Sequence, residues 1–450
     1  MIKIRKLGLV ATLLAAAGAS AGDGYPHALP AGEVQVADCD SSPACDATGA
    51  AGCASGNCDG GCDGGCDAAS SCCSGLLQGL GCCDLGDPWT LFGEHCGWTA
   101  GGWVQTGYHT SPLANFFTRP NEVQLHQAWL YAQREIDTAN GFDLGGRIDY
   151  VYGTDAPDTQ AFGTDPRGWD NRWDNGNDYG HAIPQLYLEA GYGDWSLIVG
   201  HFFTIIGWEV VPAPDNFFYS HAYTMYNSEP FTHTGALATY KASEDVTLYG
   251  GHVLGWDSGF ADNGDAFLGG AALQLTDDWN FTYTTVGGVF ASGKYGDPLR
   301  SQNRESGYMH SIVNQFTLSD RLTYISQSDL LQSTNQTGGT ERDTYGLNQY
   351  LIYRLNECWA VGSRLEWWSV SRDSVAFGGV PGAQSRVDIY DLTLGLNYRP
   401  HANLIVRPEV RYDWARGANA AELAQLNGGD GLFQSGVDEF TFGIDTIFTF

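Results

Sequence analysis

Between Trp98 and Phe450, apolar and polar residues alternate one for one in segment after segment, and the joins between segments run short, long, short, long. The clearest segment puts Phe142, Leu144, Gly146, Ile148, Tyr150 and Tyr152 on one face and Asp143, Gly145, Arg147 and Asp149 on the other. Leu404, Val406, Pro408, Val410, Tyr412 and Trp414 repeat it, with Arg407, Glu409, Arg411 and Asp413 between them. Tyr390 to Tyr398 does the same through Leu392, Leu394 and Leu396. A period of two marks a strand with two unlike faces, because successive side chains of an extended chain point to opposite sides. Alternation alone suits a soluble sandwich as well as a membrane barrel.

The joins separate these two folds. About sixteen strands are predicted, starting near Trp98, Asn121, Gly141, His181, Trp195, His233, Asp245, Asp265, Trp279, Gly307, Arg321, Arg342, Cys358, Arg386, Ala402 and Val437. Joins after even-numbered strands are tight and made of turn residues: Asp137-Thr-Ala-Asn140, Gly193-Asp194, Ser243-Glu-Asp245, Thr276-Asp-Asp278, Ser319-Asp320, Leu355-Asn-Glu357 and Arg399-Pro-His401. Joins after odd-numbered strands are longer, as at 110–120, 154–180, 207–232, 292–306, 371–385 and 415–436. An up-and-down barrel with two inequivalent mouths produces this rhythm, whereas Greek-key crossovers do not. The predicted fold is all-β: a transmembrane antiparallel up-and-down β-barrel over 98–450, with both termini on the short-turn side. Closure also removes edge strands, whose unpaired backbone hydrocarbon cannot tolerate. Aromatic residues near strand ends, among them Trp103, Tyr108, Trp129, Tyr131, Trp195, Trp279, Tyr283, Trp359, Trp367 and Trp414, are expected in girdles at the two headgroup levels.

The N-terminus supplies an address. Lys3, Arg5 and Lys6 precede an apolar run from Leu7 to Gly18, and Ala19-Ser20-Ala21 offers a small-residue cleavage site. The run falls short of the roughly 20 residues of a spanning helix, so 1–21 is read as a signal peptide. The segment 22–97 is rich in Cys, Gly and Asp, cannot bury a core, and is expected to be a disordered periplasmic tail or linker. Its cysteines are Cys39, Cys45, Cys53, Cys58, Cys62, Cys66, Cys72, Cys73, Cys82, Cys83 and Cys96, with Cys58-Asp-Gly-Gly-Cys62-Asp-Gly-Gly-Cys66 the most regular stretch. In an oxidising compartment these are disulfide candidates. Their spacing does not match a closed zinc site, although a soft metal or a plain spacer stays open. A net charge of −30 excludes nucleic acid as a partner.

The stretch Ala213-Pro-Asp-Asn-Phe-Phe-Tyr-Ser220, continued by Glu229-Pro-Phe-Thr-His-Thr-Gly235 to Tyr240, resembles the OmpL-like family of β-barrel porins of the bacterial outer membrane. Gln185-Leu-Tyr-Leu-Glu189, Gly200-His-Phe202, Gly255-Trp-Asp257 and Asp262-Asn263 extend the resemblance, which covers about Trp98 to Phe450. The resemblance implies an outer-membrane barrel with passive transport and leaves the cysteine-rich leader without a role. Phe440, Phe442, Ile444 and the terminal Phe450 also resemble the signal by which the barrel-assembly machinery recognises such chains.

A barrel this wide keeps an aqueous lumen. Strand parity then gives pore-lining candidates: Arg147, Asp149, Arg364, Glu366, Arg407, Glu409, Arg411 and Asp413. They read equally well as a transverse field or as ion pairs that keep the interior wet. The third long join carries Trp208, Glu209, Asp215, Phe217, Phe218, Tyr219, Tyr223, Tyr226 and Glu229, too much aromatic surface to hang in solvent, and is predicted to fold inward as a constriction. Asp170, Asp174 and Asp178 offer oxygen ligands to calcium but do not follow an EF-hand loop, so no metal and no cofactor is assigned. Ser220-His221 lies on opposite faces of an extended segment, the wrong geometry for a nucleophile and its base, and no enzyme is expected. The expected function is passive diffusion of small polar solutes and ions, with cations preferred, through a channel in contact with outer-membrane lipid. The alternative is a disulfide-linked structural envelope protein whose barrel is an anchor. The sequence leaves a homo-oligomer open.

Overall fold

The computed structural model describes residues 85–450, except 96, 114–115, 162–168, 171–172, 177, 261–263, 292–303 and 418–436. The signal segment 1–21, the leader cysteines from Cys39 to Cys83, Cys96, Asp165 and Asp262-Asn263 lie outside the described residues. Among the described residues a single sheet holds eighteen strands, of which Glu94–His95 and Asp174–Asn175 are two-residue pairs. The other sixteen form the wall: β1 Trp98–His109, β2 Val123–Arg134, β3 Phe142–Gly153, β4 Tyr179–Tyr192, β5 Trp195–Phe203, β6 Thr232–Ser243, β7 Val246–Val253, β8 Asp265–Thr276, β9 Trp279–Ala291, β10 Glu305–Ser319, β11 Leu322–Thr334, β12 Thr340–Arg354, β13 Trp359–Ser371, β14 Arg386–His401, β15 Leu404–Arg416 and β16 Asp438–Thr449. Each pairs antiparallel with its sequence neighbour, and β16 returns to β1 through Gly443↔His109 to Thr449↔Trp103. The sheet therefore closes into a barrel without an open edge. All sixteen predicted starts fall within two residues of the observed ones.

The joins after even-numbered strands are 135–141, 193–194, 244–245, 277–278, 320–321, 355–358 and 402–403, and both ends of the barrel chain lie at this rim. Opposite them run 110–122, 154–178, 204–231, 254–264, 292–304, 335–339, 372–385 and 417–437. Leu130, Phe142, Leu144, Ile148, Leu188, Val199, Leu394 and Phe440 point outward and are exposed. An apolar belt around a whole molecule needs hydrocarbon as its solvent. Near the short-turn rim the outward aromatics stack in cross-strand pairs, Trp195 on Tyr240 (4.3 Å) and Trp359 on Tyr398 (4.1 Å), and near the other rim Tyr390 stacks on Trp414 (5.2 Å). Three girdle candidates are corrected, and one of them, Tyr131, packs inside against the cluster of Trp103 and Trp129 beneath the Arg147 guanidinium. Trp103 and Trp129 point into the barrel, stacked at 4.7 Å and nearly inaccessible, because they share the inward face of Gln105 and Gln127. Their indole N–H groups donate to Gln127 and Asp149, both at 2.8 Å, which removes the reason to seek a wet interface.

Residues 85–95 follow the short-turn rim. Ala402 donates its N–H to the Leu85 carbonyl (2.8 Å), Asn403 bonds both main-chain groups of Trp89 (2.7 Å each), and Trp89 stacks on Phe448. Glu94 and His95 then pair with Thr99 and Trp98 at the start of β1.

Candidate pore constriction

The join 204–231 enters the barrel instead of leaving it. It contains a 3-10 turn at Ala213–Asp215 and a short helix at Tyr223–Ser228, and residues 218–231 are buried throughout. A connection inside a lumen must find partners for its backbone there, and the inward faces of β13 and β15 supply most of them. Glu409 accepts from the N–H of Tyr219 (2.9 Å) and Ser220 (3.1 Å). Glu366 accepts from the N–H of Tyr223 and Thr224, both at 2.7 Å, and from the Thr224 hydroxyl at 2.6 Å, so that a carboxylate meets the free amides of the helix start. Arg364 donates to the Ser220 carbonyl (2.7 Å), Arg411 to that of His221 (2.6 Å), and Arg407 to those of Ala213 (3.0 Å) and Asn216 (2.6 Å). Trp368 donates to Ser228 Oγ (2.9 Å), which also bonds Thr344.

Charge balance holds this joint together. Arg364 pairs with Asp391 (2.7 Å) and with Glu209 of the loop (2.8 Å), Arg407 with Asp445 (2.5 Å), and Arg411 with Asp413 (2.8 Å). Burial disfavours the Glu209 carboxylate, yet Arg364 and His221 beside it hold it down at about 2. At the end of the loop Gln327 donates to both Glu229 (2.5 Å) and Asp329 (2.8 Å). Burial, and then Asp329, push the Glu229 carboxyl well above the usual range. Asp257 accepts from the N–H of Phe231 (2.6 Å) and Thr232 (2.9 Å).

Shape matters as much as charge. A Cβ on Gly362 would stand 2.4 Å from the Phe217 ring, and one on Gly107 2.3 Å from Tyr219 Oη. These wall glycines leave the space in which the loop aromatics lie. Phe218 packs with Val313, Ile325 and Tyr350. Tyr219 Oη bonds His126 on the far wall (2.6 Å). On the other half of the barrel Ile205 and Ile206 join an apolar cluster with Phe202, Leu237, Leu268, Val286, Met309 and Leu331.

The eight charged residues selected by strand parity all point inward, and all are buried. Arg364, Glu366, Arg407, Glu409 and Arg411 touch the loop, and Asp413 completes Arg411. Arg147 and Asp149 form a bidentate pair on β3 (2.6 and 2.9 Å), the guanidinium lying over Tyr131. Of the loop residues, Trp208, Asp215 and Phe217 are half-buried, whereas Glu209, Phe218, Tyr219, Tyr223, Tyr226 and Glu229 are buried. The three acidic candidates in 154–178 serve separate ends. Asp170 accepts from the N–H of Ala161 and Ile183, Asp174 from Gln160, and Asp178 faces Arg119. Among the described residues no group of His, Cys, Asp and Glu gathers as a metal site. Asp391, Asp445, Gln327 and Trp368 escaped the sequence reading. Asp391 stands between the outward Tyr390 and Leu392 and so faces inward, but no sequence signal says which loop a wall residue will meet.

This architecture has known counterparts. OmpT of Vibrio cholerae, an outer-membrane protein in its trimer form, matches with a TM-score of 0.51 at 11% identity, over 78% of this chain and 99% of that one. An anion-selective porin from Comamonas acidovorans matches with a TM-score of 0.50 at 10% identity, over 78% and 99%. Likeness at such identity speaks for the fold alone. No curated protein matches the sequence. The family described as "Putative beta-barrel porin-2, OmpL-like" matches residues 97–450, and the chain belongs to this family of outer-membrane β-barrel porins.

Proposed function

We propose that the chain is a passive channel for small polar solutes and ions, and that the join 204–231 is its constriction. One observation carries the reading: a connection between two wall strands lies inside the lumen, bonded to inward residues of β11, β12, β13, β15 and β2. A lumen narrowed in this way selects by size and by the charge that reaches the water. The net charge of −30 supports a preference for cations. So does the joint, where Glu209, Glu366, Asp391, Glu409, Asp413 and Asp445 stand against Arg364, Arg407 and Arg411. Trimers of the kind described for OmpT make a homo-oligomer the expected form.

Single-channel recording of the purified protein in a planar bilayer with a salt gradient tests the reading. Small open steps with a cation-favouring reversal potential are expected, and deletion of 212–230 is expected to raise the conductance severalfold. An unchanged conductance after deletion removes the constriction. No conductance from folded, inserted protein favours the structural envelope role, for which the cysteine-rich leader is the supporting feature.

A further inference from the structure

We propose that the short-turn mouth of the barrel holds a binding station for organic carboxylates that carry a ring, built from Arg354, Arg399 and Asn397 beneath the Phe217 ring of the loop. It goes beyond passive conduction and does not depend on it.

Strand register brings these side chains together. Arg354 ends β12 on the inward face, opposite Ala360 of β13, and Ala360 stands opposite Asn397 of β14. The pairs Gly395↔Glu409 and Tyr398↔Val406 set Asn397 beside Arg407 of β15. One inward position nearer the rim lies Arg399, whose N–H donates to the Cys358 carbonyl (2.8 Å). One inward position farther from the rim, Gly362 and Gly395 carry the Phe217 ring. Phe217, Trp208 and Ile352 are half-buried and pack against one apolar cluster. The small Ala360 thus lies under an apolar roof, with a guanidinium on either side.

The charges of this group do not balance. Arg407 is occupied by Asp445 and by the loop carbonyls of Ala213 and Asn216. Among the described residues Arg354 and Arg399 have no ion pair and no side-chain hydrogen bond. The charges that bear on Arg399 are those of Arg407 and Arg354. The other inward positions of β10 to β14 below the loop are Gln315, Thr317, Thr323, Ala360 and Asn397, none of them acidic. Asp320 and Glu357 in the adjoining turns pair with neither arginine. Like charges gathered without a counter-ion repel one another, and a bound anion relieves them. The Asn397 amide oxygen is shut from water and has no partner; rotation of that amide turns two N–H donors toward an anion. A guanidinium takes a carboxylate through parallel N–H groups. The roof then favours a carboxylate whose body is a ring, which stacks offset on Phe217, over an inorganic anion that gains nothing from apolar surface. Glu209, Glu366, Glu409 and Asp413 serve the loop joint above, so the two signs occupy different heights of the lumen.

The test is binding of benzoate to the purified full chain in detergent at neutral pH, read by saturation-transfer NMR against benzamide, its uncharged counterpart. Saturable transfer to benzoate and none to benzamide is expected. Arg354→Gln combined with Arg399→Gln is expected to weaken benzoate by roughly tenfold or more. Neither arginine has a partner to lose, so this variant should keep the heat-resistant folded barrel. Phe217→Leu is expected to weaken benzoate severalfold and to leave acetate as it was. No saturable benzoate binding by folded barrel, equal binding of benzamide, or undiminished binding in the double variant overturns the station. An unchanged benzoate affinity in Phe217→Leu overturns the roof and with it the preference for a ring. A folded barrel that binds benzoate and passes no current overturns the channel and leaves the station standing.

Discussion

At Arg364 a single guanidinium joins two wall strands to the loop: its Nε donates to Asp391, its Nη1 to Glu209 and to the Ser220 carbonyl, with no exposed surface. Arg364→Ala leaves those carboxylates buried without their nearest cation, and breaking such a pair costs about 3–5 kcal/mol. The expected outcome is a barrel that loses its heat-resistant folded form at a markedly lower temperature on gels; an unchanged transition would mean that water or another cation reaches the site. Arg364→Lys restores the charge but not the fork, and is expected to recover only part of the loss. Gly362 tests shape instead. Gly362→Val drives a side chain into the Phe217 ring, so the underside of the loop should shift, read as a changed emission from the half-buried Trp208 in a background without competing surface tryptophans.

At the scale of elements, the loop is held differently at its two ends. Its middle is fixed by ion pairs, its exit by a carboxyl that burial and Asp329 push above the usual range. Glu229 lies beside Asp329, and its raised pKa means that the docked loop binds a proton which a released loop would lose near the ordinary value of about 4.5. Docking is thus strongest below that value and weakens as pH rises through the raised one. Protease protection of 204–231 in the folded barrel is expected to fall as the pH rises above the ordinary carboxyl range, with Glu229→Gln flattening the response. An equal pH response in Glu229→Gln would assign the effect elsewhere. The strands themselves were legible because lipid outside and loop or water inside impose a choice at every residue, so Phe142 to Tyr152 or Leu404 to Trp414 carries its own face. Register across strands leaves no such mark. Arg407 pairs with Asp445 of β16 and not with its near neighbour Glu409, which serves the loop. Trp103 and Trp129 read as girdle residues, yet both lie mid-strand on the inward face, where they bond Gln127 and Asp149.

For the whole molecule, closure depends on the last strand meeting the first. Phe450 continues that ladder beyond β16, exchanging main-chain hydrogen bonds with Gly102, both at 2.9 Å. Deleting Phe450 removes both bonds and the terminal aromatic, and the yield of heat-resistant barrel in the outer membrane is expected to drop severalfold while the protein still refolds in detergent. A yield equal to the intact chain would place the assembly signal in Phe440 and Phe442 instead. The loop inside the barrel has a kinetic consequence as well. Because its backbone is bonded to strands on several sides of the lumen, no hinge lets it swing partway; each contact loosens only when its neighbours do. Current records should therefore step between two levels, with long dwell times in each, where a loop tethered at its ends alone would give a continuous flicker.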